Sequence, residues 1–257
     1  MEKERGLPGR LLLVPAPLDF GCDVVTDVRD SVPEATLRAA STLTHWVCEN
    51  AKTARAYLKR IDAVHPLCAP LQAMQIQELP REVHKKGDHD GQFDARPLLA
   101  AALKGHDVGL LSEAGMPAVA DPGSSVVRAA HDLGLQVVPL VGPMSLVLAL
   151  AASGMNGQEF AFVGYIPSSP AERVARIRSL EARVHSSGHT QLLIETPYRT
   201  PALLASLLST LAPHTRLATA SGLGLPAQRC RSASVKTWRE RGWECDKNTP
   251  TVFAIGR

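Results

Sequence analysis

Residues 108–123 have the sequence VGLLSEAGMPAVADPG, in which a short apolar run gives way to a turn of small residues and prolines. The run Val108–Leu111 has the length and composition of a buried strand. In the turn Ser112–Gly123, small residues let the backbone approach a ligand closely, and prolines hold the turn in shape. A helix is predicted to begin at Asp121-Pro122, because Asp accepts hydrogen bonds from first-turn amides and Pro suits the first helical position. Strand, turn and helix in this order are the repeating unit of an α/β fold.

The same alternation extends outward from this stretch in both directions. Further strands are predicted at Leu11–Val14, Trp46–Cys48, Gln136–Leu140, Phe160–Val163, Gln191–Ile194, Arg216–Ala220, Ser234–Thr237 and Thr251–Ile255. Further helices are predicted at Glu34–Thr42, opened by a capping box from Ser31 to Glu34, from Ser169 onward, and at Pro201–Leu211. The polar stretch Arg81–Asp94 is predicted to be a solvated loop. We therefore expect an α/β protein of two domains, an N-terminal parallel α/β domain at 1–143 and a C-terminal mixed α+β domain at 144–257.

The composition excludes several classes of protein. The 257 residues carry a net charge of +3, which is too small to indicate nucleic-acid binding by itself. The five cysteines, an odd number without a C-x-x-C pair, argue against a disulfide framework and a zinc module and favour a reducing compartment. The longest apolar run, Met144–Ala152, is about half of the ~20 residues that a membrane span needs, and no signal peptide is recognised. We therefore expect a cytoplasmic protein without a membrane partner.

Three turns leave predicted strands and are candidates for one ligand site. The first strand runs into Pro15–Gly21, a proline-rich turn that matches neither a P-loop nor G-x-G-x-x-G and offers no string of amides to hold phosphate. The other two turns are Ser112–Gly123 and Val141–Ser145, and the last of these enters an apolar helix. Ligands of parallel α/β domains bind at the carboxyl ends of strands. For the first turn taken alone, a rigid surface loop is favoured over a ligand site. The three turns together can converge on one pocket, and a ligand without phosphate is the candidate for it.

Four segments resemble a known family in order and spacing. They are Ser112–Gly123, Val138–Ser145, Val163–Pro167 and Glu195–Arg199. They are similar to S-D-A-G-T-P-x-x-x-D-P-G, P-L-P-G-P, E-G-F-x-P and Y-E-S-x-H-R of the tetrapyrrole methylase superfamily, in its ribosomal RNA small subunit methyltransferase I branch. This resemblance implies S-adenosylmethionine (SAM) bound in a cleft between two α/β domains, and a homodimer. SAM is a sulfonium zwitterion with an adenosine and does not need a phosphate nest, so it fits turns that lack one.

The resemblance and the strand-end positions together nominate site residues. Glu49, at the end of the second predicted strand, is the candidate catalytic base for an alcohol nucleophile, which must lose its proton. The cofactor-binding candidates are Pro15, Pro17, Glu113, Gly115, Met116, Val119, Gly142, Ser145, Leu146 and Glu195. Gly142 is expected to allow close approach to the ligand because it lacks a Cβ. No metal is expected.

Other interpretations of these residues stay open. Asp121 is favoured as a helix cap, Glu113 is equally well a solvated carboxylate, and Glu195 is favoured as a partner of Arg199. A solvated loop is favoured over a metal site for the polar cluster of His84, Asp88, His89 and Asp90. A solvated helix face is favoured for Arg173, Arg176, Arg178 and Arg183, with contact to RNA phosphates as the alternative.

Departures from the family pattern leave the acceptor open. The family's P-T-P-I-G-N is Pro15–Phe20 here, its A-E-D-T-R becomes Cys48–Lys52, its E-S-x-H-R becomes Glu195–Arg199, and its Gly-Glu before the last strand becomes Thr249-Pro250. The first hypothesis is a SAM-dependent methyltransferase that 2'-O-methylates a ribosomal RNA nucleoside. The alternatives are a tetrapyrrole (precorrin-type) methyltransferase and a SAM-binding protein without turnover.

Overall fold

A computed structural model describes residues 7–86, 88, 91–242 and 246–257, with side chains for all of these except residues 84–86. The chain forms two compact units. The first runs to Phe20 and continues from Thr26 to Pro143, and the second comprises Gly21–Val25 and Met144–Arg257. Two independently folding domains at 1–143 and 144–257 stay a prediction.

The first unit is built on a parallel sheet of five strands. The strands are β1 (Leu11–Val14), β2 (His45–Cys48), β3 (Gln75–Glu78), β4 (Val108–Leu111) and β5 (Val137–Pro139). Their order across the sheet is β3-β2-β4-β1-β5, and every neighbouring pair is parallel. Because all five strands run in one direction, their carboxyl ends lie along a single edge of the sheet.

Helices cover both faces of this sheet, as parallel sheets require. They are α1 (Glu34–Ser41), α2 (Ala51–Asp62), α3 (Arg81–Lys86) and α4 (Ser124–Asp132), with short 3₁₀ turns at Val28–Asp30, Leu71–Ala73, Arg96–Leu99 and Ala102–Lys104. Side chains alternate along β4, so Leu111 packs into a core with Trp46 and Leu58, while Leu110 packs into another with Val126 and Leu99.

The second unit contains a mixed sheet with the order β6-β7-β10-β8-β9. Its elements are α5 (Ser145–Ser153), β6 (Phe160–Tyr165), α6 (Pro170–Ser187), β7 (Thr190–Glu195), α7 (Thr200–Thr210), β8 (Arg216–Ser221), β9 (Arg229–Ser234), α8 (Val235–Arg241) and β10 (Thr251–Gly256), with a 3₁₀ turn at Pro197–Arg199. β6 pairs with β7 in parallel, and the other pairs are antiparallel. Phe253 and Trp238 are fully buried in its core, and Trp238 Nε1 donates to Leu217 O at 2.8 Å. The predicted α/β class is confirmed.

Within the described residues, every helix is too short or too polar to span a membrane.

The capping box predicted from Ser31 to Glu34 is wrong. α1 begins at Glu34 after Pro33, without a side-chain cap, and Ser31 instead ends the preceding 3₁₀ turn. Asp27 opens that turn by accepting a hydrogen bond from Arg29 N.

The predicted cap of α4, Asp121, is also wrong. The residue that caps this helix comes from the stretch Arg81–Asp94, which is not the solvated loop that the sequence predicts. α4 begins at Ser124 rather than at Asp121, and Asp88 caps it from 35 residues away in sequence. Its Oδ2 accepts from Gly123 N and Ser125 N, both at 2.9 Å. Asp88 is therefore a buried structural carboxylate and α3 occupies the start of the stretch. His89, Asp90 and the side chain of His84 lie outside the described residues.

The strands β3 and β9 were not predicted, and one predicted strand is wrong. β3 was not predicted, since its four residues, Gln-Ile-Gln-Glu, are mostly polar and lie at the exposed edge of the sheet. The strand predicted at Ser234–Thr237 is the start of α8, because Ser234 accepts a hydrogen bond from Thr237 N at 3.2 Å and caps the helix. The neighbouring strand, β9, ends at Ser234.

Candidate functional site

The carboxyl edge of the first sheet brings four strand ends together. Pro15 follows β1, Glu49 follows β2, Ser112 follows β4 and Leu140 follows β5. The register pairs Cys48 with Leu111 across β2 and β4, so the residues that follow them are neighbours. This edge is where α/β folds bind ligands.

The first two of the predicted turns are joined by backbone hydrogen bonds. Ala16 N donates to Gly115 O at 2.9 Å, and Gly115 N donates to Ala16 O at 2.9 Å. Gly115 has a φ of +69°, and a Cβ there would lie 3.3 Å from Leu18 Cδ2 and 3.6 Å from Pro143 O. The third turn therefore also lies against Gly115, and the first unit shows all three turns in contact.

The structure gives Gly142 a packing reason to be glycine. A Cβ on Gly142 would lie 2.2 Å from Pro15 Cγ and 2.4 Å from Pro15 Cβ, far inside van der Waals contact. The close approach that the sequence indicated is thus made by a proline ring of the first turn. Contact between Gly142 and a ligand stays a prediction.

Side chains from the helices hold the first and third turns in place. Tyr57, on α2, donates its hydroxyl to Pro15 O at 2.9 Å, and Thr36, on α1, donates to Val141 O at 2.7 Å. Arg60 pairs with the buried Asp19 at 2.8 Å. Burial opposes the charge of Asp19, but hydrogen bonds from Arg60 and from Thr26 outweigh it and lower the pKa of Asp19. The proline-rich turn is therefore a fixed structure.

The turn Ser112–Gly123 contains strained backbone. Ala118 and Ala120 both have a φ of 64°, in the left-handed region that residues with a Cβ rarely adopt. Each costs roughly 1–2 kcal/mol relative to right-handed backbone. Strain of this kind persists only where surrounding structure imposes it, and it concentrates at ligand sites.

A buried hydroxyl opens the same turn. Ser112 is 3% exposed, and its Oγ has no hydrogen-bond partner among the described residues. A buried polar atom without a partner carries a free-energy cost of about 1–3 kcal/mol. A ligand atom that hydrogen-bonds to Ser112 Oγ would recover that cost.

Three carboxylates meet at this edge. Burial raises the pKa of Asp121, and the charges of Glu49 and Glu113 raise it further, to about 7. Glu113 is held in position by Thr53 on α2, whose hydroxyl donates to Glu113 Oε1 at 3.1 Å. A carboxyl group with a pKa near neutrality changes its protonation in the range where general bases act. Asp121, predicted as a helix cap, is therefore a carboxyl group whose pKa is raised by burial and by two other carboxylates.

The helix that follows Glu49 keeps its cap despite the departure from the family pattern. Asn50 stands where the pattern has Asp, and its Oδ1 accepts from Lys52 N at 2.9 Å as the N-cap of α2. Glu78, at the end of β3, accepts a second first-turn amide, Ala51 N, at 2.6 Å. The start of α2, next to Glu49, is therefore capped without the missing Asp.

The remaining predicted residues lie at defined places. Pro17 is buried, and Met116 and Val119 are partly exposed on the strained turn. In the second unit Ser145 is the first residue of α5 and Leu146 is buried beneath it.

Glu195 is engaged within the second unit. Its Oε2 lies 3.0 Å from Arg199 Nη2, and its Oε1 accepts from Thr196 N at 2.9 Å. A cofactor contact for Glu195, and for Ser145 and Leu146, stays a prediction. Among the residues whose side chains are described, no group of three or more His, Cys, Asp and Glu has metal-binding geometry.

Sequence reasoning missed four residues that shape the site: Ser112, Thr53, Tyr57 and Asp88. Ser112 was inside the quoted turn, and its place directly after a buried strand was an available signal. The others act across 35 to 60 positions of sequence, and no local pattern identifies such contacts.

A comparison with models of protein families identifies the family of this chain. Residues 35–238, more than half of the chain, match the model of the tetrapyrrole (corrin/porphyrin) methylases. The chain belongs to the tetrapyrrole methylase family. The family match includes the second to fifth strands of the first unit and most of the second unit, so it covers both halves of this methylase.

Curated relatives of the methylase carry the name ribosomal RNA small subunit methyltransferase I. The protein from Mesorhizobium japonicum is 29% identical over 87% of this chain and 70% of its own length, and that from Neisseria meningitidis serogroup B is 30% identical over 73% and 64%. The protein from Micromonospora olivasterospora is 36% identical over 53% of this chain and 42% of its own length. The chain thus matches less than two thirds of two of these three relatives.

Two solved structures share the fold of the methylase. The methyltransferase CobJ aligns over 97% of this chain and 94% of its own, with a TM-score of 0.53 and 18% identity. Uroporphyrin-III-C-methyltransferase from Thermus thermophilus aligns over 96% and 94%, with a TM-score of 0.50 and 20% identity. At this identity the likeness concerns the fold alone.

Proposed function

We propose that this methylase transfers a methyl group from SAM to the 2'-hydroxyl of a ribosomal RNA nucleoside, in the cytoplasm. The observation that supports it most is the group of Glu49, Glu113 and Asp121 at the carboxyl edge of the first sheet, where the pKa of Asp121 is raised to about 7. An alcohol acceptor needs a base of this kind, because its proton must leave when the methyl group arrives. The relatives named ribosomal RNA small subunit methyltransferase I support the choice of acceptor.

The residues at this edge suit SAM. When bound, SAM supplies an electrophilic methyl group on a positively charged sulfonium, and it also carries an ammonium group. Carboxylates at Glu49 and Glu113 favour a cationic ligand over an anionic one. Ser112 Oγ is a buried donor and acceptor without a partner among the described residues, and the proline-rich first turn provides no phosphate nest.

Residues of the three turns would hold the cofactor. Gly115 presents backbone in a left-handed conformation, which glycine adopts without strain. Met116 and Val119 add apolar surface on the same turn, and Pro15 and Pro17 line the first turn. We retain Glu113, Gly142, Ser145, Leu146 and Glu195 as the other proposed cofactor residues.

Glu49 is the proposed general base. It directly follows β2, next to the start of the strained turn, and its charge acts on Asp121. A proton accepted by Glu49 can be shared with Asp121, since the three carboxylates resist being ionised together. The group can therefore hold one proton near neutral pH.

A homodimer is proposed from an apolar surface on the second unit. α5 buries Leu146 and Leu150 but exposes Leu148, which is 44% exposed, beside Val147. On β6, an edge strand, Phe160 is 45% exposed. Large apolar side chains that are exposed favour burial against a partner, and a second copy of the chain is the partner that the family resemblance implies.

The proposal is tested first by binding and then by turnover. Isothermal titration with SAM and with S-adenosylhomocysteine is expected to show binding of both, unchanged by EDTA because no metal is involved. Methyl transfer from radiolabelled SAM is then measured with protein-free small-subunit ribosomal RNA and with a precorrin as acceptors. Absence of SAM binding, or loss of binding with EDTA, would contradict the proposal.

The turnover assay separates the three hypotheses. Label in the ribosomal RNA supports the proposal, and digestion to nucleosides identifies 2'-O-methylation. Label in the precorrin alone would establish the tetrapyrrole activity instead. SAM binding without label in either acceptor would favour a SAM-binding protein without turnover.

A further inference from the structure

A groove in the second unit combines guanidinium groups with hydroxyls. It has a volume of about 1090 Å³ and lies along β8 and β9, extending to the end of α8. Its polar lining includes Arg229, Arg231, Arg241, Thr219, Ser221 and Thr249. Neither the family match nor the relatives assign a role to it.

The strand register explains how the arginines reach the groove. Arg231 pairs with Thr219 and Arg229 with Ser221 across β8 and β9. Alternate residues of a strand lie on one face, so both arginines share a face with the two hydroxyl side chains. Arg231 is fixed in place, with its guanidinium 4.1 Å from the centre of the Trp238 ring and its Nη1 donating to Gly242 O at 3.1 Å.

The groove has a positive charge that the described side chains do not neutralise. Within the described residues, Arg229, Arg231 and Arg241 take part in no ion pair. The acidic residue of the described lining is Asp246, whose carboxylate accepts hydrogen bonds from Thr249 Oγ1 and Asn248 N. The hydrogen bond from Thr249 lowers the pKa of Asp246, so this carboxylate stays charged. Among the described lining residues, three positive charges face one negative charge.

We propose that this groove binds the phosphate backbone of RNA. Arg229 and Arg231 are two residues apart on a strand, a separation of ~7 Å, so their guanidinium groups can reach successive phosphates. Hydroxyl side chains beside arginines are common phosphate contacts in protein–nucleic acid complexes. The inference rests on the proposed function, because it assigns a binding surface to the same RNA substrate.

The arginines of α6 provide a contrast. Arg173 uses its guanidinium inside the protein, where Nε donates to Pro167 O at 3.1 Å and Nη2 to Ser168 O at 2.9 Å. Arg178 and Arg183 are exposed on α6 and do not line the groove. They give a control with the same change of net charge in the same unit.

The experiment compares two double variants, R229Q/R241Q and R178Q/R183Q. Both remove two charges from exposed side chains, so both are expected to fold, which equal thermal midpoints would verify. Binding of protein-free small-subunit ribosomal RNA is measured over a series of salt concentrations. For R229Q/R241Q we expect affinity to fall roughly tenfold near ~0.1 M salt and the slope of log K against log salt to become shallower by about 1.4, that is ~0.7 per lost phosphate contact. For R178Q/R183Q we expect both quantities to match the unmodified protein.

Equal losses in the two variants would overturn the proposal, because they would show a dependence on net charge alone. Unchanged RNA binding by R229Q/R241Q would overturn it as well. SAM titration of the same proteins separates this inference from the proposed function. Loss of RNA binding in R229Q/R241Q with normal SAM affinity supports RNA binding by the groove. Failure of the unmodified protein to bind SAM would contradict the proposed function. In that case the salt dependence of RNA binding by the two double variants still tests the groove.

Discussion

The carboxyl edge of the first sheet and the arginine groove of the second unit differ in charge and in packing. At the edge, Glu49, Glu113 and Asp121 lie among turns that are tightly packed and partly strained. In the groove, Arg229 and Arg241 are exposed on a strand and a helix end. Negative charge suits a sulfonium ligand, and positive charge suits a polyanion.

The difference in packing separates the effects that substitutions should have. Changes at the packed edge are expected to alter stability, SAM binding or turnover, because the residues there pack within the turns or carry the proposed chemistry. Changes at exposed arginines alter affinity for an anionic ligand and leave the fold intact. Four variants of the edge test this division.

Glu49→Gln is expected to have the largest effect, on turnover. The variant keeps the shape of the side chain and removes the base, so methyl transfer should fall about 10²-fold or more, while titration shows unchanged SAM affinity and unchanged RNA binding. Lys52→Gln, at an exposed position of the same helix start, is the control. Loss of SAM binding in Glu49→Gln would show that Glu49 binds the cofactor and would contradict its role as the general base.

Gly142→Val tests the packing of the turns. Its side chain would enter the space of the Pro15 ring, and overpacking of this kind costs about 1–3 kcal/mol. Urea unfolding is expected to show that loss, together with weaker SAM binding. Gly157→Val is the matched control, because nothing lies within 4 Å of a Cβ at that position. Weaker SAM binding at unchanged stability would instead place a ligand against Gly142.

Met116→Asp tests the cofactor surface of the strained turn. Burying the new carboxylate against a ligand without a partner is costly, and SAM affinity should fall at least tenfold, about 1.4 kcal/mol. Met116→Leu keeps the apolar character and should bind SAM normally. Titration of both variants decides the point, and normal binding by Met116→Asp would remove this turn from the cofactor site.

Asp121→Asn tests the shared proton through the pH dependence of stability. The pKa of Asp121 is raised to about 7, so the folded protein favours its neutral form. That contribution to stability is complete below the unfolded pKa of ~3.9 and is lost as pH rises through about 7. The variant stays neutral, so at pH 8 it should exceed the unmodified protein in unfolding free energy by roughly 4 kcal/mol, at ~1.4 kcal/mol for each of ~3 pKa units, and near pH 3 the two should agree.

Urea unfolding at both pH values measures this difference. Asp132→Asn, at an exposed residue of α4, is the control. A constant difference between Asp121→Asn and the unmodified protein at all pH values would show that Asp121 does not exchange a proton in this range.

Much of the fold was predictable because its strands are short apolar runs between turns of distinct composition. β1 and β4 were predicted to the residue. β3 was not, because an edge strand buries little and its sequence stays polar. The start of α8 was misassigned because Ser and Thr suit both strands and helix caps. Local patterns predict buried strands well and exposed ones poorly.

The location of the site could be predicted from the sequence, but most of the side-chain contacts that shape it could not. The turn Ser112–Gly123 was identified from its own residues. The capping of α4 by Asp88 and the hydrogen bond from Tyr57 to Pro15 O depend on contacts made only after folding. The raised pKa of Asp121 has the same origin in part, since its burial and its approach to the charge of Glu49, which follows another strand, arise only on folding. Sequence spacing contains no information on such encounters.

Ala118 and Ala120 have a consequence for how this chain can evolve. Glycine would relieve the left-handed strain at both positions, so a screen for heat resistance alone should collect glycine there first. Each replacement would also enlarge the set of shapes available to the turn without ligand, and a looser turn spends more entropy when a ligand orders it. Selection for turnover is then expected to keep the alanines. At these two positions, thermal stability and catalytic efficiency therefore favour different residues.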